Sequence, residues 1–226
     1  MTIIKTSIIH CSKNNFANLI HNKRNFLFKV YSLLALIIII LIVSVNELHS
    51  HPAIEEFLNK YNLYLFIIGL IIIFLFKKQN IHPVFKSIII VLLTIIIGLR
   101  CIQIVKIIPK SVMLSILISV LVLFIITSLI GYALYVCNIK IAFLGIILLY
   151  ALIALIITFC VTLFIDIPDI LYKIGLICGI MLFSVYIVYN TNMIVQDDYN
   201  GDILDGAVQL YLNVFNIFIE TGALVF

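Results

Sequence analysis

At 226 residues the chain is 65% hydrophobic and only 11% charged, with a formal net charge of +4. An ordinary soluble domain is about half apolar and a quarter charged, so a globular interior of this length cannot hide so much apolar surface. The composition excludes a soluble enzyme or a nucleic-acid-binding domain and identifies an integral membrane protein. Heavy use of Ile, Asn and Lys fits an AT-rich genome, such as that of a large DNA virus or a parasite.

Residues 1–27 are polar and basic and lack a small-residue cleavage site, so they read as an uncleaved cytosolic tail. A single polytopic membrane domain, 28–226, follows. A bilayer core takes about 20 apolar residues per helix. On that scale spans fall near 28–45, 61–76, 85–105, 111–136, 139–165, 171–188 and 203–218. Strands are not expected, because the runs are long and do not alternate apolar with polar. The fold class is therefore an all-α bundle of six to seven transmembrane helices, with the seventh either spanning or re-entrant.

Orientation follows from Lys and Arg in the short loops. Lys5, Lys13, Lys23, Arg24, Lys29, Lys77, Lys78, Lys86 and Lys140 fall on one side; Lys60, Arg100, Lys106, Lys110 and Lys173 fall on the other. That count favours a cytosolic amino terminus.

The first loop carries Glu47, His49, His51, Glu55 and Glu56. A His-x-His pair beside carboxylates suits a transition metal, but nothing fixes its geometry, and it reads as a solvated connector. Cys11, Cys101, Cys137, Cys160 and Cys178 are scattered without CxxC spacing, which suggests small buried hydrophobes rather than a metal or disulfide site. No metal and no cofactor are expected.

In the sixth span Gly175 and Gly179 form a GxxxG, and with Tyr186 and Asn190 they lie within about 60° on one face. Such a face packs against a neighbouring helix, naturally the seventh. On that last helix Asp205, Gln209, Asn213, Asn216 and Glu220 fall within roughly 80° of one another. Two readings of this polar stripe stand open. One is an amphipathic helix lying at the membrane surface. The other is a helix lining a hydrated cation path, with Asp202 and Asp205 as an acidic mouth. Asn190 and Asn213 are placed to hydrogen-bond across the two helices. Catalysis finds no support: no span holds a His, and neither a nucleophile elbow nor HExxH occurs.

The segment Leu182–Phe183–Ser184–Val185–Tyr186–Ile187–Val188–Tyr189–Asn190–Thr191–Asn192, with Asp202–Ala207 and Leu210–Phe218, resembles the closing helices of the transmembrane Bax-inhibitor-motif family. Weaker echoes are Phe28–Leu34 and His82–Pro83 with Thr94 and Gly98. The resemblance implies a multi-pass protein of endoplasmic reticulum or Golgi membranes that leaks stored calcium and restrains apoptosis. A short AT-rich version looks like a viral homologue, with host apoptosis or calcium-channel proteins as partners and calcium as a transported ion.

In that family an aspartate on each of the last two helices forms a proton-sensitive pair. Asn190 and Asn213 stand at the matching positions, and asparagine does not titrate. The arginine that some members carry on the second span is also missing, since 61–76 has no charge. The resemblance thus implies a leak without an acidic switch. The alternative is a non-conducting viral protein that binds host membrane proteins and alters their trafficking or stability.

Overall fold

A computed structural model describes residues 25–45, 47, 52–76, 82–162, 164–196 and 202–225. The amino-terminal residues 1–24, the His49/His51 pair, Lys77, Lys78, Asp197 and Asp198 lie outside them. Among the described residues seven helices follow one another: α1 (Asn25–Val45), α2 (Pro52–Phe76), α3 (Pro83–Ile107), α4 (Lys110–Val136), α5 (Leu144–Thr162), α6 (Asp169–Gln196) and α7 (Ile203–Val225). No strand occurs among the described residues. Five of the helices, α1 and α4 to α7, are long and apolar enough to cross a membrane, and α3 holds a shorter apolar stretch, Val84–Leu99. The chain is an all-α multi-pass membrane protein.

Proline sets several boundaries. Pro52 and Pro83 open α2 and α3, and Pro109 and Pro168 immediately precede α4 and α6. Proline has no N–H to lose at a helix start, and its fixed φ suits the first turn. The α4–α5 connection turns at Asn138, which sits at φ 57, a left-handed conformation that asparagine tolerates better than most residues. That turn explains why the fifth helix starts at Leu144 rather than at 139.

The sixth helix runs on to Gln196, past the expected end at 188. Tyr189 to Asn192 are polar enough to suggest a helix end, but other helices satisfy or cover them. Asn192 Nδ2 donates to the backbone oxygens of Gly131 (3.3 Å) and Ile139 (3.4 Å), and Gln196 Nε2 donates to its Oδ1 at 2.6 Å. The Tyr31 hydroxyl lies 3.4 Å from Thr191 Oγ1.

The seventh helix is continuous for 23 residues, about 34 Å at 1.5 Å per residue. It is neither a re-entrant hairpin nor a surface helix with a wet face. α7 is the centre of the bundle. It packs most extensively on α6 and also touches α4 and α3, while Val30 of α1 reaches Gly206. Its buried positions, from Gly206 through Leu210, Tyr211 and Asn213 to Ile217, Glu220 and Gly222, go round the helix. α5 touches chiefly α6 and leaves most of its surface outward, as a lipid-facing helix does.

Candidate functional site in the α6–α7 seam

Inside a bilayer apolar side chains gain little by leaving lipid for protein, so helices associate through close packing at small residues and through polar contacts. The α6 helix shows both. A Cβ built on Gly131 of α4 would sit 2.5 Å from the Val188 carbonyl oxygen and 2.9 Å from Thr191 Cβ, so α4 and α6 touch backbone to backbone. A Cβ on Gly145 of α5 would meet the Tyr189 hydroxyl at 2.6 Å.

Of the GxxxG pair, Gly179 faces α7, where any side chain would overlap the Glu220 carboxyl. Gly175 does not share that contact. Its Cβ direction points to Phe159 of α5, 3.9 Å away. The motif therefore serves two neighbours, one glycine each.

Two contacts fix the antiparallel register of the seam: Gly179 against Glu220 near one end, and Ile194 against Gly206 near the other. Counting along both helices from those contacts puts Asn190 close to level with Gln209, and Asn213 close to level with Tyr186. Asn213 Nδ2, one of the two possible donors for a hydrogen bond between Asn190 and Asn213, is buried and has no acceptor among the described residues, and by this count the two asparagines are out of step by about one helical turn. Both asparagines are nonetheless inside the protein, at 2% and 6% exposure.

The rest of the stripe divides by depth. Glu220 is 6% exposed, whereas Gln209, Asn216 and Tyr186 are half-buried. Tyr186 stacks on Phe183, with ring centroids 6.3 Å apart. Tyr211, outside the predicted stripe, is buried to 1%. Its hydroxyl, Asn213 Nδ2 and Glu220 Oε2 are three of the four buried side-chain polar atoms without a hydrogen-bond partner among the described residues. All three are on the central helix.

The acidic mouth is not open. Lys86, one turn into α3 and nine-tenths buried, donates to Asp202 Oδ2 and to Asp205 Oδ1, the latter at 3.0 Å. Asp202 also caps α7, its Oδ1 accepting from the backbone N–H groups of Leu204 (2.9 Å) and Asp205 (3.3 Å). Partial burial would raise the Asp202 carboxyl, but the Lys86 hydrogen bond and charge and the two backbone N–H groups outweigh it and hold it below the usual aspartate value. Two carboxylates thus share one ammonium. In the sequence Lys86 is a charge flanking a loop, and no local spacing ties it to residues so far along the chain.

No group of three or more His, Cys, Asp or Glu that could hold a metal occurs among the described residues. Residues 23–221 match the sequence profile of a family described as Inhibitor of apoptosis-promoting Bax1. No curated protein matches the chain.

Proposed function

Because the chain belongs to the Bax-inhibitor family, we propose that it restrains apoptosis from an intracellular membrane and modulates stored calcium through the α6–α7 seam. The observation that carries this reading is the set Asn190, Asn213 and Glu220, all more than nine-tenths buried where the two closing helices meet. Polar groups at membrane depth are costly to keep and tend to mark ion paths or helix contacts. With asparagine at 190 and 213, the leak does not switch with acid at that pair. The reading assigns no chemical reaction and no cofactor. It places the protein in endoplasmic reticulum or Golgi membranes with a cytosolic amino terminus and takes it for a viral homologue acting on host cells.

The test is store calcium in cells expressing the protein, compared with Asn190→Asp/Asn213→Asp at two cytosolic pH values. A lowered store that is insensitive to pH in the wild type, with pH dependence appearing in the double variant, supports an ungated leak. An unchanged store rejects conduction.

A specific observation favours a second reading, a non-conducting protein that binds host membrane proteins. Lys86 already occupies Asp202 and Asp205, the carboxylates that would draw cations in. Unchanged store calcium together with stable co-purification of a host membrane protein would decide for it.

A further inference from the structure

The most buried carboxyl of the seam is that of Glu220, 6% exposed. Its carboxyl lies against the backbone of α6 at Gly179, so closely that no side chain fits between them. Among the described residues Oε2 has no hydrogen-bond partner and no ion pair joins Glu220. Asp202, Asp205 and Lys86 are engaged with one another at the other end of α7, about 22 Å away along 15 residues of helix.

No described side chain at this level on the other helices forms an ion pair with it. On α6, Lys173 and Cys178 are exposed and Tyr186 is half-buried beside Phe183. On α3, Cys101 is buried in a cluster with Leu58 and Ile102 that Phe218 and Ile219 pack against, and Lys106 is exposed. Arg100 also belongs to this part of α3. On α2, Lys60 is exposed, its ammonium lying over the Tyr61 ring. The stretch of α4 around Val120 carries no ionisable side chain, nor does α1 beyond Tyr31.

An ionised carboxylate buried with neither a cation nor a donor is among the costliest groups a protein can hold, inside a membrane above all. Nothing among the described residues compensates it, which points to a species that arrives from solution. A metal ion needs several oxygen ligands and room for them, and the contact with Gly179 leaves none on that side. A proton needs no room.

We propose that Glu220 is a proton-exchange site of the α6–α7 seam. Protonated, it packs neutrally on Gly179; when the proton leaves for solvent, the uncompensated charge loosens α6 from α7 at this end. The site lies at a different depth from Asn190 and Asn213 and adds a titrating group to a seam whose paired positions carry none. It deepens the seam reading above, but its test does not depend on calcium or apoptosis, so the two can fail separately.

The experiment uses the full chain in lipid nanodiscs. Infrared titration between about pH 5 and 9, a range that brackets known buried carboxyls, follows the carboxylic acid C=O band of the wild type and of Glu220→Gln. The expected result is a one-proton band that the variant lacks. The chain contains no Trp, so Ile180→Trp, beside Gly179, supplies a lone reporter of the seam. Its emission should step with the same midpoint as the band, and the step should vanish in Ile180→Trp/Glu220→Gln and survive, with a moved midpoint, in Ile180→Trp/Glu220→Asp. A step that persists with glutamine overturns the proposal. So does the absence of any Glu220-dependent band in the wild type, which needs no reporter variant to observe.

Discussion

Lys86, near the start of α3, donates to the carboxylate of Asp202, which caps α7 116 residues further along the chain. With Asp205 it ties the beginning of the central helix to a helix that is its neighbour in space and remote in sequence. Removing the ammonium leaves two partly buried carboxylates facing each other. Lys86→Met is expected to lower stability by about 1–3 kcal/mol, the range for stranding buried polar groups. Thermal unfolding in detergent checks it. Lys86→Arg should restore most of the loss, and Lys86→Met/Asp202→Asn should recover part of it by removing the stranded charge.

The same tie has a defined pH window. The Asp202 carboxyl is held below its ordinary value of 3.8. A depressed folded-state value means that its contribution is fully present above the unfolded value and is lost as pH falls through the folded one. The melting-temperature gap between wild type and Asp202→Asn should therefore be equal at neutral and mildly acidic pH and close only below about 4. Asparagine caps a helix about as well as aspartate, so the gap reports charge rather than capping. A gap that already closes near neutral pH would show that the Lys86 pairing does not hold the carboxyl down.

Glycine substitutions should differ in sign within one bundle. At Gly131 the added methyl would meet a backbone oxygen, which cannot swing aside. Gly131→Ala is expected to cost about 1–3 kcal/mol, as overpacking does. Gly175 has only Phe159 near, at ordinary contact distance, so Gly175→Ala should be neutral or stabilise by up to about 1 kcal/mol through helix propensity. Unfolding of the two variants side by side tests the contrast, and equal losses would refute it.

How much of this was legible in the sequence differs from element to element. Hydropathy exposes membrane helices directly, and the four-and-three spacing from Asp205 to Glu220 put one face of α7 in view. Periodicity cannot distinguish a wet stripe from one turned into a bundle, however, and α7 proved central. The apolar run of the sixth span stops at 188, whereas α6 continues through Tyr189 to Asn192 and on to Gln196. They are helical because Gly131, Ile139 and Tyr31, remote in sequence, receive them. The relative level of Asn190 and Asn213 was hidden for a similar reason. Faces follow from one helix, but register depends on both, and here Gly179 and Gly206 set it. Lys86 gave no local signal of any kind.

Asn213 separates folding from function. Its amide is buried, close to level with Tyr186, and donates to no described residue. Replacing an unpartnered buried polar group by an apolar one of similar size is neutral or stabilising, so Asn213→Leu should melt at or above the wild-type temperature. Asn192 is the control, since Asn192→Leu breaks three hydrogen bonds and should lose about 1–3 kcal/mol. If the seam carries ions, Asn213→Leu removes a polar stop along it and abolishes the effect on store calcium while the fold is intact. If the protein acts by binding partners through other surfaces, Asn213→Leu keeps full protective activity. A stable Asn213→Leu that fails in cells thus supports the polar seam, and a stable one that succeeds argues against it. A destabilised Asn213→Leu would instead mean that the amide has a partner after all, and with it that the register drawn from Gly179 and Gly206 is wrong.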